Sequence, residues 1–203
     1  MAGIAFRTAW NKDDETLRQD AVAFWRGGPQ LLPQGVDPIA RARELCAVAY
    51  RDGSVVGVST VTIEFVPQFR SRMALYRCSA APDLLTIPPL SWRITDYSRE
   101  VLEKWSLENP DEKVMGLMAI IQAQSLIEHY PQIVAPANMA FTGFTPAGFP
   151  IRVAWFKHAT IPTEWPPRPL PKKEPESARR LPAGTGFRVR LDRYIKSPKD
   201  EVG

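Results

Sequence analysis

The sequence predicts a mixed α/β fold, a mostly antiparallel central sheet flanked by helices, followed by a Pro-rich C-terminal arm. Three observations carry this. Residues 45–50 and 55–65 are apolar runs joined by Arg51-Asp52-Gly53-Ser54, and Asp-Gly between such runs marks a hairpin whose type I′ turn needs positive φ. Residues 73–81 (MALYRCSAA) alternate as a strand does. They lead, past Pro82-Asp83 and Pro88-Pro89, into a run where Leu90, Ile94, Tyr97, Val101 and Trp105 recur every three or four residues, as on one helical face. Between positions 162 and 182, seven of 21 residues are proline, a composition that favours extended polyproline II and forbids helix.

In chain order, residues 4–9 read as a first strand. Asn11, Asp13 and Asp14 supply the side-chain oxygens and negative charge that favour a helix start. Leu17, Ala21, Phe24 and Trp25 then share a face until Gly27-Gly28-Pro29 ends the helix. Residues 28–37 read as a loop, and 38–43 as one or two turns of a second helix with Pro38 at its first position. A turn at 67–72 makes a three-strand meander of 45–50, 55–65 and 73–81. The long helix stops at Asn109-Pro110, because the residue before a proline is pushed out of helical geometry. Residues 114–121 (VMGLMAII) are an unbroken apolar run, as expected of a strand covered on both faces. A short helix at 122–130 is broken by 131–136, and residues 137–144 and 149–161 flank Thr145-Pro146-Ala147-Gly148 as a last hairpin.

The chain has 203 residues, 44% hydrophobic and 24% charged, enough for one domain over 1–161 and an extension over 162–203. No apolar run reaches the roughly 20 residues that span a bilayer, and the first residues lack a basic segment followed by an apolar one. We therefore expect a cytoplasmic protein with no membrane association. The net charge of +4 resides in the extension, which holds ten Lys or Arg against six Asp or Glu. The body balances 16 against 16, which argues against nucleic acid as a partner. Cys46 and Cys78 fall inside strand-like runs and read as small buried hydrophobes. With only His129 and His158 beside them, no metal-ligand spacing appears, and neither a G-x-S-x-G nor a phosphate-binding G-x-x-x-x-G-K-[ST] is present.

Within the extension, positions 166–169 match P-x-x-P and basic residues adjoin them, which suits a semi-rigid linker or an arm wrapping the body. Residues 187–195 (FRVRLDRYI) alternate apolar with charged. That pattern fits a final strand added to its own sheet or another subunit's, and with it a homodimer through the C-terminal arm.

The element order β-α-α-β-β-β-α-β-α-β-β, the long strand-to-helix unit at its centre and Gly143-Phe144 before the closing hairpin resemble the GNAT-type N-acetyltransferases over residues 4–161. The resemblance implies an acyl-CoA-dependent N-acyltransferase, with acetyl-CoA as co-substrate and an amine-bearing acceptor. That family seats the pyrophosphate on a Q/R-x-x-G-x-G/A loop opening the central helix. Here residues 82–93 (PDLLTIPPLSWR) contain no glycine and three prolines, each of which removes an N–H. What remains are the N–H groups of Leu90, Ser91, Trp92 and Arg93 at the helix start and the charge of Arg93, with Asp83 opposing an anion unless it points away. The resemblance further implies that Ser79 and Ala81 offer backbone groups to the pantetheine arm. The plainer alternative is a core strand and helix joined by a stiff connection.

Amine acylation needs a base for the amine proton and an acid for the leaving thiolate. Members of the family often place a carboxylate on the strands before the central helix and a tyrosine after the fifth strand, positions that Glu64 and Tyr130 occupy here. Glu64 reads equally as a solvated strand-end carboxylate, and Tyr130 as a core ring with its hydroxyl satisfied locally. Trp25 and Trp92 stand beside loops, where each either lines a cleft or packs in the core. The alternative to an enzyme is a catalytically inactive module of the same fold, acting through its cleft or its arm.

Overall fold

A computed structural model describes residues 3–28, 31–84 and 90–161. The Pro-rich extension and the connection at 85–89, including Pro88 and Pro89, lie outside the described residues. Eight strands form one sheet: β1 (Ile4–Thr8), β2 (Leu45–Arg51), β3 (Ser54–Val66), β4 (Ser71–Ala80), β5 (Val114–Ile120), β6 (Val134–Ala135), β7 (Met139–Phe144) and β8 (Pro150–Trp155). Their spatial order is β1-β2-β3-β4-β5-β8-β7-β6. Every neighbouring pair is antiparallel except β4 and β5, which run parallel. Parallel neighbours need a crossover, and the long helix α3 (Leu90–Glu108) lies between them in the chain. This is the mixed, mostly antiparallel, helix-flanked sheet that the sequence predicts.

Local chemistry sets the ends of the elements. The Asp14 carboxylate accepts the Leu17 N–H at 3.1 Å and caps α1 (Glu15–Arg26); Asp37 accepts from Ile39 and Ala40 and caps α2 (Pro38–Ala42). Asp52 and Gly53 have φ of 51° and 79°, both positive, as the type I′ hairpin between β2 and β3 demands.

The two sheet faces carry different helices. Cys46, Val61, Ala74, Tyr76 and Leu117 pack with Trp92 and Leu102 of α3. On the opposite face, Leu45, Val48 and Val58 pack with Leu17, Ala21 and Trp25 of α1. Both cysteines are free, Cys46 fully buried in β2 and Cys78 half-buried in β4.

The buried face of α3 is rotated from the one the apolar spacing predicts. Its buried residues are Leu90, Trp92, Ile94, Thr95, Ser98, Leu102, Glu103 and Ser106, while Tyr97, Val101 and Trp105 lie at its half-buried margin. The polar members are inside because each has a partner. Ser98 meets Ser59 at 2.8 Å, Thr95 meets Tyr76 at 3.1 Å, Ser106 meets His158 at 3.1 Å, and the Glu103 carboxylate accepts the Lys157 N–H at 2.6 Å.

Three boundaries also shift. The last strand ends at Trp155 instead of running to 161, and α4 (Gln124–His129) is shorter than the 122–130 expected. Residues 131–136, read as a break, include β6, whose Val134 and Ala135 pair with Ala140 and Met139. No described helix is long and apolar enough to cross a membrane.

A cleft where two parallel strands part

β4 and β5 pair through Arg72↔Val114, Ala74↔Leu117, Leu75↔Met118 and Tyr76↔Ala119. β5 then ends at Ile120, while β4 stays paired with β3 as far as Ala80↔Gly57. Arg77, Cys78, Ser79 and Ala80 therefore have no strand on their β5 side among the described residues. In extended backbone, alternate residues turn both N–H and C=O toward a given side, so this edge presents unpaired donors and acceptors to the gap.

The gap widens into a cavity of about 640 Å³. Tyr76, Cys78, Trp92 and Thr95 line it from the α3 face; Arg77 and Ser79, paired with Thr60 and Val58, line it from the α1 face. Residues of both faces border one space, so the opening passes through the sheet. The segment after α1 leans over it, because the Ser79 hydroxyl donates to the Leu31 carbonyl at 2.5 Å and accepts from Trp25 Nε1 at 3.3 Å.

The chemistry of the walls is apolar and cationic. Among the described residues no carboxylate or histidine lines the cavity; its titratable side chains are Arg41, Arg77, Tyr76 and Cys78. Burial pushes the Tyr76 hydroxyl well above its ordinary range and the Cys78 thiol up to about 12, so both hold their protons at neutral pH. The Thr95 hydroxyl reaches both the Ser91 carbonyl, at 2.8 Å, and the Tyr76 oxygen, and its single proton serves one at a time. Ser91 Oγ and Trp92 Nε1 are buried without a hydrogen-bond partner among the described residues.

Of the residues singled out in the sequence, Ser79, Ser91 and Trp92 line the cavity, as does Trp25. Ala81, the residue after β4, has its N–H bonded to the Val56 carbonyl at 2.8 Å, so that group is not offered to the gap. Leu90 packs with Ala49, Val56 and Ile94 away from the cavity, and the Arg93 guanidinium stands 5.6 Å from the centre of the Phe6 ring. Asp83 pairs with Arg51 at 3.0 Å. Tyr130 caps α4, its ring edge-on to Trp92 at 5.4 Å. Glu64 is exposed and accepts from the Thr62 hydroxyl; it lies four residues along β3 from Thr60, about 13 Å at strand rise.

Sequence reasoning passed over Arg41, Arg77 and Tyr76. For Arg77 the signal was present, since Leu75, Arg77 and Ser79 share a face by alternation. The same alternation sets Tyr76 with Cys78 on the other face, whereas Arg41 gave no signal, because tertiary packing alone brings α2 to the gap.

No family model matches the sequence, and no curated protein matches it. Among solved structures, the chain is similar to an acetyltransferase of the GNAT family from Streptococcus pneumoniae, at 9% identity, covering 76% of this chain and 99% of that one with a TM-score of 0.48. It is similar to yncA from Salmonella typhimurium, solved with its cofactor acetyl-CoA (13% identity, 79% and 98% covered, TM-score 0.47). A third is the ribosomal-protein-alanine N-acetyltransferase from Brucella melitensis (17% identity, 74% and 99% covered, TM-score 0.45). The element order, and the long unit of β4 and α3 at its centre, are the features on which the sequence resembles the GNAT-type N-acetyltransferases.

Proposed function

We propose that the protein is an acyl-CoA-dependent N-acyltransferase that moves an acetyl group from acetyl-CoA to an amine. The observation that carries this reading is the through-sheet gap beyond Tyr76 and Ala119, where an unpaired β4 edge faces a cavity large enough for an extended amide chain. The residues present fit such a chain. Alternate backbone groups from Arg77 to Ala80 would pair with its amides as an added strand does, and the unpartnered Ser91 Oγ and Trp92 Nε1 stand at the same wall. The α3 start, with the N–H groups of Leu90 to Arg93, would face its phosphates.

In the reaction the amine nitrogen bonds to the acetyl carbon, the C–S bond breaks, and CoA leaves as a thiolate that takes up the proton the amine gives away. Tyr130, whose ring rests on Trp92, and Tyr76, kept protonated by burial, would be the hydroxyls that give the thiolate its proton. With Glu64 about 13 Å from Thr60 at the cavity wall, its part as base runs through water. The finer parts of the reading, a separate extension over 162–203 and a homodimer through it, are checked by comparing the mass in solution of the full chain with that of a chain ending at 161.

The direct test is calorimetric titration with acetyl-CoA, with desulfo-CoA and ADP as controls. Micromolar binding that requires the pantetheine portion supports the reading. Absence of heat and of any thermal shift at millimolar acetyl-CoA overturns it.

A further inference from the structure

Arg41 and Arg77 both line the cavity, and both reach one carboxylate, Glu44, whose Oε2 lies 2.7 Å from Arg41 Nη1 and 3.5 Å from Arg77 Nη1. Two guanidiniums on one carboxylate leave one positive charge without a counter-charge among the described residues. Each guanidinium has five N–H donors, so most of their hydrogen-bonding capacity is also unspent on Glu44. No acidic side chain among the described residues lines the cavity to balance that charge. Around the pair the wall is apolar, with Leu32, Leu75 and Met118. Arg41 is mostly covered and Arg77 about half exposed, so the Arg41 charge above all attracts an anion more strongly than the same charge in open water.

The position of the pair says which reactant supplies the anion. Arg77 lies opposite Thr60 in the β3–β4 register, on the sheet face covered by α1 and α2, and Arg41 belongs to α2. The start of α3 is on the other face, where Leu90 packs on Ala49 and Arg93 stands over Phe6. CoA phosphates drawn to that helix start are thus separated by the sheet from the arginine pair, and the gap between is where the thioester would lie.

Building on the acyltransferase reading, we propose that Arg41 and Arg77 form the specificity site for the acceptor, and that the acceptor is an amine with an apolar body that also bears an anionic group, a carboxylate or a phosphate. Glu44 is a positioning residue that holds the two guanidiniums side by side.

The experiment compares three amines of one apolar body with acetyl-CoA: L-phenylalanine, L-phenylalaninamide and 1-amino-2-phenylethylphosphonic acid, whose phosphonate stands in for a phosphate. The amide has the less basic and therefore more readily deprotonated amine, so a preference for the acid reports recognition of the carboxylate. We expect kcat/KM for phenylalanine or for the phosphonate to exceed that for the amide at least tenfold, whichever wins naming the anion. Arg77→Gln and Arg41→Gln should erase the preference by raising KM, with Arg77→Lys keeping part of it and circular dichroism showing each variant folded. Turnover in which the amide equals or beats both anions overturns this proposal and leaves the acyltransferase reading standing. A second arm needs no turnover: calorimetric titration with N-acetyl-L-phenylalanine and its amide. Acid-selective binding that Arg77→Gln removes keeps the anion site even where no amine is acetylated, and absence of selectivity in both arms overturns it.

Discussion

Ser59 of β3 and Ser98 of α3 are fully buried and share a hydrogen bond of 2.8 Å across the interface between sheet and helix. Cys46, also fully buried, stands against both hydroxyls. Removing one partner leaves the other desolvated and poorly paired, so Ser98→Ala should cost about 1–3 kcal/mol. Replacing both serines removes the stranded group as well. The double Ser59→Ala/Ser98→Ala chain should then lose less than the two single losses added, with a coupling of about 0.5–3 kcal/mol in a urea-unfolding cycle. Strict additivity would show that the pair contributes nothing as a pair.

The same interface is too tight for a methyl group at Gly57. A Cβ there would lie 2.3 Å from Ile94 Cδ1 and 3.3 Å from the Ser79 carbonyl, and Ile94 is completely buried. Gly57→Ala should therefore destabilise by about 1–3 kcal/mol through overpacking. Ile94→Val removes the offending Cδ1 at a cost of about 0.5–1.5 kcal/mol on its own. The combination should be less damaging than the sum, measured as the shift in urea midpoint.

These two contacts also mark the limit of what the sequence tells. Asp52-Gly53 and Asp14 act within a few residues of themselves, so turn and cap chemistry reads directly from the chain. The apolar run at 114–121 announced a covered strand, and β5 is one. The buried face of α3 did not read correctly, because Thr95, Ser98, Glu103 and Ser106 look like solvent residues until strands and turns 19 to 54 positions away supply their partners. The cleft was half legible for the same reason. Ser79, Ser91 and Trp92 reach it from the strand-to-helix unit, whereas Arg41 arrives from α2 and Glu64 stays outside.

Alkaline pH should weaken the fold through Cys46. Burial pushes its thiol up to about 12 from an ordinary 9.0, with Ser98 and Ser59 opposing the shift. The unfolded thiol therefore loses its proton first. Stability attributable to this group is fully present below pH 9 and is lost as pH rises toward 12, by roughly 1.4 kcal/mol per pH unit at most. Urea midpoints at pH 8, 9.5 and 10.5 should fall more steeply for the natural chain than for Cys46→Ala. Equal slopes would remove the thiol as the cause.

The guanidinium of Arg152 in β8 is buried against four carbonyls and, among the described residues, no carboxylate. It donates to Tyr130 O at 2.7 Å, Gln132 O at 2.9 Å, Met139 O at 3.0 Å and Ile133 O at 3.3 Å. Desolvation lowers its pKa, yet an arginine keeps its charge at neutral pH, and the carbonyl dipoles are what offset the burial. These bonds tie the end of α4 and the run into β6 to the sheet, and with them the Tyr130 ring that rests on Trp92. Arg152→Met keeps the length of the stem but strands the carbonyls, each a desolvated acceptor costing about 1–3 kcal/mol unless water reaches it. We expect a loss of about 3 kcal/mol or more and faster amide hydrogen exchange confined first to 124–135. If Tyr130 serves the thiolate, acetyl-CoA turnover should fall along with that protection. A variant whose exchange rises in 124–135 while turnover holds would relieve Tyr130 of the role and leave Tyr76, fixed in β4, as the proton donor.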